Sequence, residues 1–240
     1  MSQEHNKRAL VVMAHPDDAE YGCAGTIAKW TQAGWQVTYV ICTDGSSGGP
    51  DDTSQVGLQE RQRLSACRKA EQRAACRILG VSEVIFLDYP DGLLEPTPAL
   101  RRDLVRQIRR IQPARVICQS PEYCWDARRR YHADHLAAGQ AAMAALYPAA
   151  QNPWDFPELL TEGLLPHKVH QIYILRPPIC NYIEDISETF EIKLQALHAH
   201  TSQVGSGFEQ LTERLRREHR QLGVQHQISY AEAFFLLENR

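Results

Sequence analysis

The chain has 240 residues, with 26 Lys and Arg against 29 Asp and Glu, a formal net charge of −3, and 43% hydrophobic residues. This length suits one sizeable domain, the composition argues against wholesale disorder, and the near-neutral balance gives no general reason to expect nucleic acid or a membrane surface as a partner. The seven cysteines contain no Cys-x-x-Cys pair, so they read as reduced thiols of a cytoplasmic protein and not as a disulfide framework or a sulfur metal site.

In chain order, a polar N-terminus precedes residues 9–14, a continuous apolar run that ends in a polar cluster as a buried parallel strand does. The run is too short for a signal-peptide core or a membrane span, and the protein is expected to stay where it is made. Residues 19–32 predict a helix stopped by Gly34, and residues 37–42 a second strand. A Gly/Ser/Asp-rich loop over 43–53 leads to a long charged helix over 58–79, closed by Gly80. A third strand over 83–87, a turn at Pro90-Asp91-Gly92 and a helix near 99–111 follow. Residues 115–118 are the fourth strand; a long polar loop precedes a helix over about 133–146. Pro- and aromatic-rich connectors fill 147–166, residues 171–175 form a fifth strand, and the tail carries helices over 188–200 and 208–222.

Strands alternating with helices predict an α/β fold: a Rossmann-like, doubly wound, mostly parallel sheet covered on both faces. The whole chain, 1–240, reads as one domain, with a Rossmann-like core over about 7–175 and a C-terminal elaboration of helices and strand over about 176–240. In the strand order 3-2-1-4-5 the sequence reverses between strands one and four, and ligands bind at their carboxyl ends. His15-Pro16-Asp17-Asp18 follows strand one, and His132-Ala133-Asp134-His135 follows strand four, so the fold would bring the two motifs face to face. The turn after strand one lacks the Gly-x-Gly-x-x-Gly of a dinucleotide site, and its carboxylates would repel phosphate and attract a cation.

Imidazole and carboxylate together suit zinc or another first-row ion, with three protein ligands and a water in a catalytic site. The candidate ligands are His15, Asp18 and His135. Adjacent carboxylates in a turn point in different directions, so one of Asp17 and Asp18 can bind metal while the other faces the water; residue chemistry alone leaves open which. Asp134 is a natural orienting partner for a histidine, and a protonated His132 would stabilise an oxyanion. Arg128-Arg129-Arg130 reads as a solvated loop or an anion-facing rim. Either motif alone has a plain structural reading, a capped turn or a surface His-x-x-His pair.

Ala14-His15-Pro16-Asp17-Asp18-Ala19-Glu20, followed by Gly22 and Gly25-Thr26, resembles the signature of the PIG-L/LmbE-like zinc deacetylases, and His132-Ala133-Asp134-His135 resembles that family's second motif, with Ala133 where Pro is common. Arg68-x-x-Glu71, Pro90-Asp91-Gly92, His200-Thr201-Ser202-Gln203 and Tyr230-Ala231-Glu232-Ala233-Phe234 extend the likeness over nearly the whole chain. The resemblance implies a small N-acetylated amino-sugar conjugate as substrate and Zn2+ as cofactor, held by His15, Asp18 and His135. It implies that zinc-bound water attacks the amide carbonyl with Asp17 as general base and later acid, that His132 stabilises the oxyanion, and that Asp134 orients His132. It makes Arg68 a sugar-binding residue, sets Asp91 at the pocket border, and leaves His200 between a packing or supporting role and a catalytic one. Family members often assemble, and the two tail helices would permit a homo-oligomer. The rival readings are an esterase or amidase on a non-sugar molecule, and a non-catalytic Rossmann-like binding protein. Specificity is expected in loops 43–53, 122–131 and 147–166, where Trp125, Trp154 and Phe156 are candidate stacking residues.

Overall fold

The computed structural model describes residues 6–50, 53–123, 125 and 131–239. The Arg128–Arg130 run lies outside them. Five strands form in the order expected: β1 (Arg8–Met13), β2 (Gln36–Thr43), β3 (Glu83–Tyr89), β4 (Arg115–Gln119) and β5 (Gln171–Leu175). All are parallel to their neighbours in the order β3-β2-β1-β4-β5. The reversal of order at β1 and β4 is therefore real, and it opens the crevice at their carboxyl ends.

The helical layers follow from side-chain alternation along the strands. Leu10, Val12 and Ala14 face one way with Val40 and Val116, and pack on α4 (Pro98–Ile111) and α5 (Ala133–Ala144). Ala9, Val11 and Met13 face the other way with Tyr39, Ile41 and Ile117, toward α2 (Ala24–Gln32) and α3 (Leu58–Leu79). Both clusters are buried, as a parallel sheet covered on both faces requires. α3 has the bounds expected, and Gly80 ends it at φ 73, where a side chain would be strained.

Two expectations need correction, the helices over 19–32 and 133–146. The helix predicted over 19–32 is two helices, α1 (Asp18–Gly22) and α2, broken at Cys23, whose φ −145 and ψ 13 are not helical. The break seats Gly22 against Leu175 and Gly25 against Ile186, where an added Cβ would come within 2.3 and 2.8 Å. Besides α7 (Phe190–His198) and α9 (Phe208–Val224) the tail supplies β6 (Tyr182–Asp185) and β7 (Ala231–Glu238). β7 lies antiparallel between β5 and β6, so residues beyond the parallel core complete one seven-stranded sheet. The helix expected over 133–146 leaves α geometry after Ala144, at a wide turn over Ala145–Ala149.

Loop 147–166 lies at the far end of the sheet. α5 starts at the carboxyl ends of the strands and runs back across the sheet, and the buried Arg109 then ties Ala149, Ala150, Asn152 and Asp155 through their carbonyls near the C-terminus of α4. Trp154 and Phe156 are therefore remote from the crevice, and Phe156 packs on the core.

Candidate active site

The His-Pro-Asp-Asp turn leaves β1 with Asp17 at φ 96 and ψ −25, a left-handed conformation rare outside glycine. That turn points three ligand atoms at one another. His15 Nδ1 lies 3.2 Å from His135 Nε2 and 3.4 Å from Asp18 Oδ2, and His135 Nε2 lies 3.0 Å from Asp18 Oδ1. Ligands at zinc distances on a tetrahedron stand about 3.3 Å apart, so the three contacts match the edges of such a site, with each Asp18 oxygen meeting one imidazole. The donor set, two imidazoles and one carboxylate, suits zinc or another first-row ion.

His15 is prepared for this use. Its Nε2 lies 3.1 Å from Asp134 Oδ2 and 3.2 Å from Asp91 Oδ1, so when a cation displaces the proton on Nδ1 the other stays on Nε2 and the Nδ1 lone pair faces the cluster. A second group, His15, His132 and Asp134, is also close enough to share an ion. Its lone pairs are already engaged. Asp134 accepts N–H groups from Gly92 and Leu94, and His132 Nδ1 accepts the Asp134 backbone N–H at 3.1 Å. The His15, Asp18 and His135 set is the better cation site.

Electrostatics agree. Burial opposes a charge on His15, yet hydrogen bonds to Asp134, Asp18 and Asp91 outweigh it and lift its pKa to about 12 in the metal-free protein. Burial works against Asp18 as an anion, and the facing His135 and His15 nevertheless hold it well below the usual carboxylate range. A pocket that binds a proton this firmly is strongly negative and suits a cation. Asp17 behaves oppositely: burial, then the neighbouring Asp18 charge, push it up to about 7.

The expected assignments of Asp134, His132, Arg68 and Asp91 change. Asp134 was expected to orient His132, but its carboxylate bonds to His15, and His132 Nδ1 is 3.9 Å away. His132 caps α5 and is held by the backbone, which leaves the proton on Nε2. Burial and the His15 charge lower its pKa, so it is a neutral donor and not the protonated one expected. Arg68 and Asp91, expected at the substrate, are buried within the site wall. Arg68 is 4% exposed, and its guanidinium meets Pro16 O (2.8 Å), Gly45 O (3.2 Å), Asp17 Oδ2 (3.3 Å) and Asp91 Oδ2 (3.5 Å). Asp91 also accepts the Ser47 N–H. Glu71, three residues on, holds Thr201 and Ser202.

Sequence reasoning passed over Gln119 and Gln72. Gln119, last in β4, accepts the Ala14 N–H at 3.0 Å and donates to Asp18 Oδ2 at 2.9 Å, pinning a candidate ligand to the sheet. Its position at a strand end beside the crevice was the available signal. Around the mouth, His132 is half-exposed, and Tyr123 stacks on the exposed Trp125 at 5.5 Å. A separate groove of about 690 Å³ runs between α3 and the ends of β2 and β3, and carries none of the cluster residues.

The sequence model of the PIG-L family, described as GlcNAc-PI de-N-acetylase, matches residues 10–146. The chain belongs to that family of deacetylases. It is 34% identical over 199 residues to the diacetylchitobiose deacetylase of Thermococcus kodakarensis, covering 82% of this chain and 70% of the relative. Among solved structures it is similar to the N,N'-diacetylchitobiose deacetylase of Pyrococcus horikoshii, with a TM-score of 0.87 and 30% identity, over 98% of this chain and 85% of the other. It is also similar to the 4-carboxy-2-hydroxymuconate hydratase of Pseudomonas putida, with a TM-score of 0.80 and 25% identity, over 97% of each chain.

Proposed function

We propose that the chain is a zinc-dependent hydrolase that removes the acetyl group from a small conjugate containing N-acetylglucosamine. The observation that carries this is the convergence of His15 Nδ1, an Asp18 oxygen and His135 Nε2, with Asp17 and His132 in the same two motifs. The family description and the chitobiose deacetylases support the substrate class.

When bound, zinc supplies a Lewis acid that brings the pKa of a water to about 7 and polarises an acyl oxygen. His15, Asp18 and His135 hold it, and Asp134 and Asp91 keep His15 in the ligating tautomer. Asp17, whose carboxylate is poised near neutrality, takes the proton of the attacking water and returns it to the leaving amine. His132 donates Nε2–H to the oxyanion as the carbonyl becomes tetrahedral, from a ring held by its backbone bond. Arg68 acts on Asp17 through its guanidinium, and its place in the wall favours orienting the base over contacting sugar.

The reading takes 1–240 as one catalytic domain acting in the cytoplasm; among the described residues no helix is long and apolar enough to cross a membrane. Self-association through the tail remains part of it. The test is amine release from zinc-loaded protein over a panel of N-acetylglucosamine conjugates, beside ester and phosphate substrates. Release from the conjugates, with zinc retained through purification without chelator, is expected. No amide hydrolysis and no bound metal would instead indicate a binding protein. The hydratase relative favours one second reading, hydration of an unsaturated carboxylic acid; a panel arm following loss of enoate absorbance separates it.

A further inference from the structure

Asp17 is held in a backbone conformation that residues with side chains rarely adopt, and something must keep it there. Its N–H donates into the interior to Gln72 Oε1 at 3.0 Å. The other end of that amide, Gln72 Nε2, donates to Glu20 Oε1 at 3.0 Å. The second Glu20 oxygen meets His200 Nε2 at 3.1 Å. Gln72, Glu20 and His200 are all 0% exposed, and they come from α3, from α1 and from the residue before a short helix, α8 (Thr201–Val204). Burying three polar side chains is costly unless they are bonded to one another, and here the donors converge on Glu20, from Asp17 through Gln72 on one side and from His200 on the other. The polarity of the chain is determined: a carboxylate at Glu20 only accepts, so Gln72 must present its NH2 there and its oxygen to Asp17. One helical turn earlier on α3, Arg68 takes the Asp17 carboxylate, so the helix grips the same residue by backbone and by side chain.

We propose that Gln72, locked by Glu20 and His200, is a positioning residue that holds Asp17 left-handed and so keeps its carboxylate beside the His15, Asp18 and His135 cluster. This rests on the base role given to Asp17 above. Gln72→Met keeps the volume and removes the bonds. It should retain the zinc content of the unmodified protein and a KM within about twofold, while kcat falls on the order of 10- to 100-fold, the penalty of a misplaced group. In an Asp17→Asn background the same substitution should cost less than about twofold, because Gln72 acts only through that carboxylate. Equal losses in both backgrounds, or no loss in either, overturn the proposal. A crystal structure of Gln72→Met is the arm independent of activity: Asp17 should leave positive φ, and Asp17 unmoved refutes the positioning role whatever the substrate proves to be. Inactivity of the unmodified protein on every N-acetylated sugar would instead sink the proposed function and leave that structural arm to decide. Glu20→Gln and Glu20→Leu serve if Gln72→Met does not fold. The first keeps an oxygen for Gln72 Nε2 and can donate to His200 Nε2 once the His200 proton moves to Nδ1, so it should keep activity within about threefold, and the second should behave as Gln72→Met; equal behaviour of the two overturns the lock.

Discussion

Gln119→Leu is the perturbation that separates ligand orientation from sheet stability. The side chain is 6% exposed and makes two bonds that leucine cannot: it accepts the Ala14 N–H at 3.0 Å and donates to Asp18 Oδ2 at 2.9 Å. Losing the first strands a buried backbone donor, at about 1–3 kcal/mol. For a chain of this size each kcal/mol lowers the melting midpoint by roughly 2–4 °C, so the metal-free variant should melt roughly 2–12 °C lower. Losing the second frees Asp18 from the only side-chain amide that holds it among the described contacts, and removal of such a supporting bond typically lowers metal affinity about 10- to 100-fold. Competition with a chromophoric chelator measures the affinity, and thermal unfolding in excess chelator measures the apo stability. Zinc affinity within about twofold of the unmodified protein, alongside the expected melting shift, would refute the claim that Gln119 orients a ligand and leave it a strand clamp.

Asp17→Asn should keep its zinc and lose about 10²- to 10⁴-fold in turnover, read by elemental analysis and amine release. Because Asp17 is raised to about 7 in the metal-free protein, its basic form accumulates as pH rises; kcat/KM of the zinc form should climb with pH through a midpoint at or below that value, since a nearby cation favours the carboxylate. A rate that declines between pH 5 and 7 contradicts the assignment. His135→Ala and Asp18→Ala should each lose zinc, detectable by elemental analysis of protein purified without chelator. Lys193→Met should destabilise the fold by about 3–5 kcal/mol in urea unfolding, because Glu232, which also accepts from Gly25 and Thr26, would remain buried without its cation.

Much of this architecture is legible in local sequence. A strand buried on both faces must be continuously apolar, so residues 9–14, 37–42 and 115–118 announce themselves, and β-branched composition with short length separates them from helices. β6 and β7 escape for physical reasons. β6 has four residues and ends in Glu184-Asp185, and β7 carries Glu232, whose carboxylate is buried only because α2 and Lys193 supply its partners. An acid in a strand reads as exposed until those partners are known. The site divides in the same way. Histidines and aspartates at two strand ends mark where a cation belongs, but no spacing rule joins Asp134 to His15, which lie 119 positions apart.

The sequence by itself determined the order of the five parallel strands, the crevice between β1 and β4 and the residue types gathered there, because apolar periodicity and turn chemistry act over a few neighbouring residues. Only the tertiary structure decided which lone pair faces which group. Asp134 turns to His15 because Gly92 and Leu94 hold its oxygens; His132 keeps its proton on Nε2 because a backbone N–H occupies Nδ1; Arg68 and Asp91 lie in the wall because the loop before α3 covers them. Hydrogen-bond direction depends on contacts between distant segments, set by strand register and helix packing, and these are properties of the assembled fold.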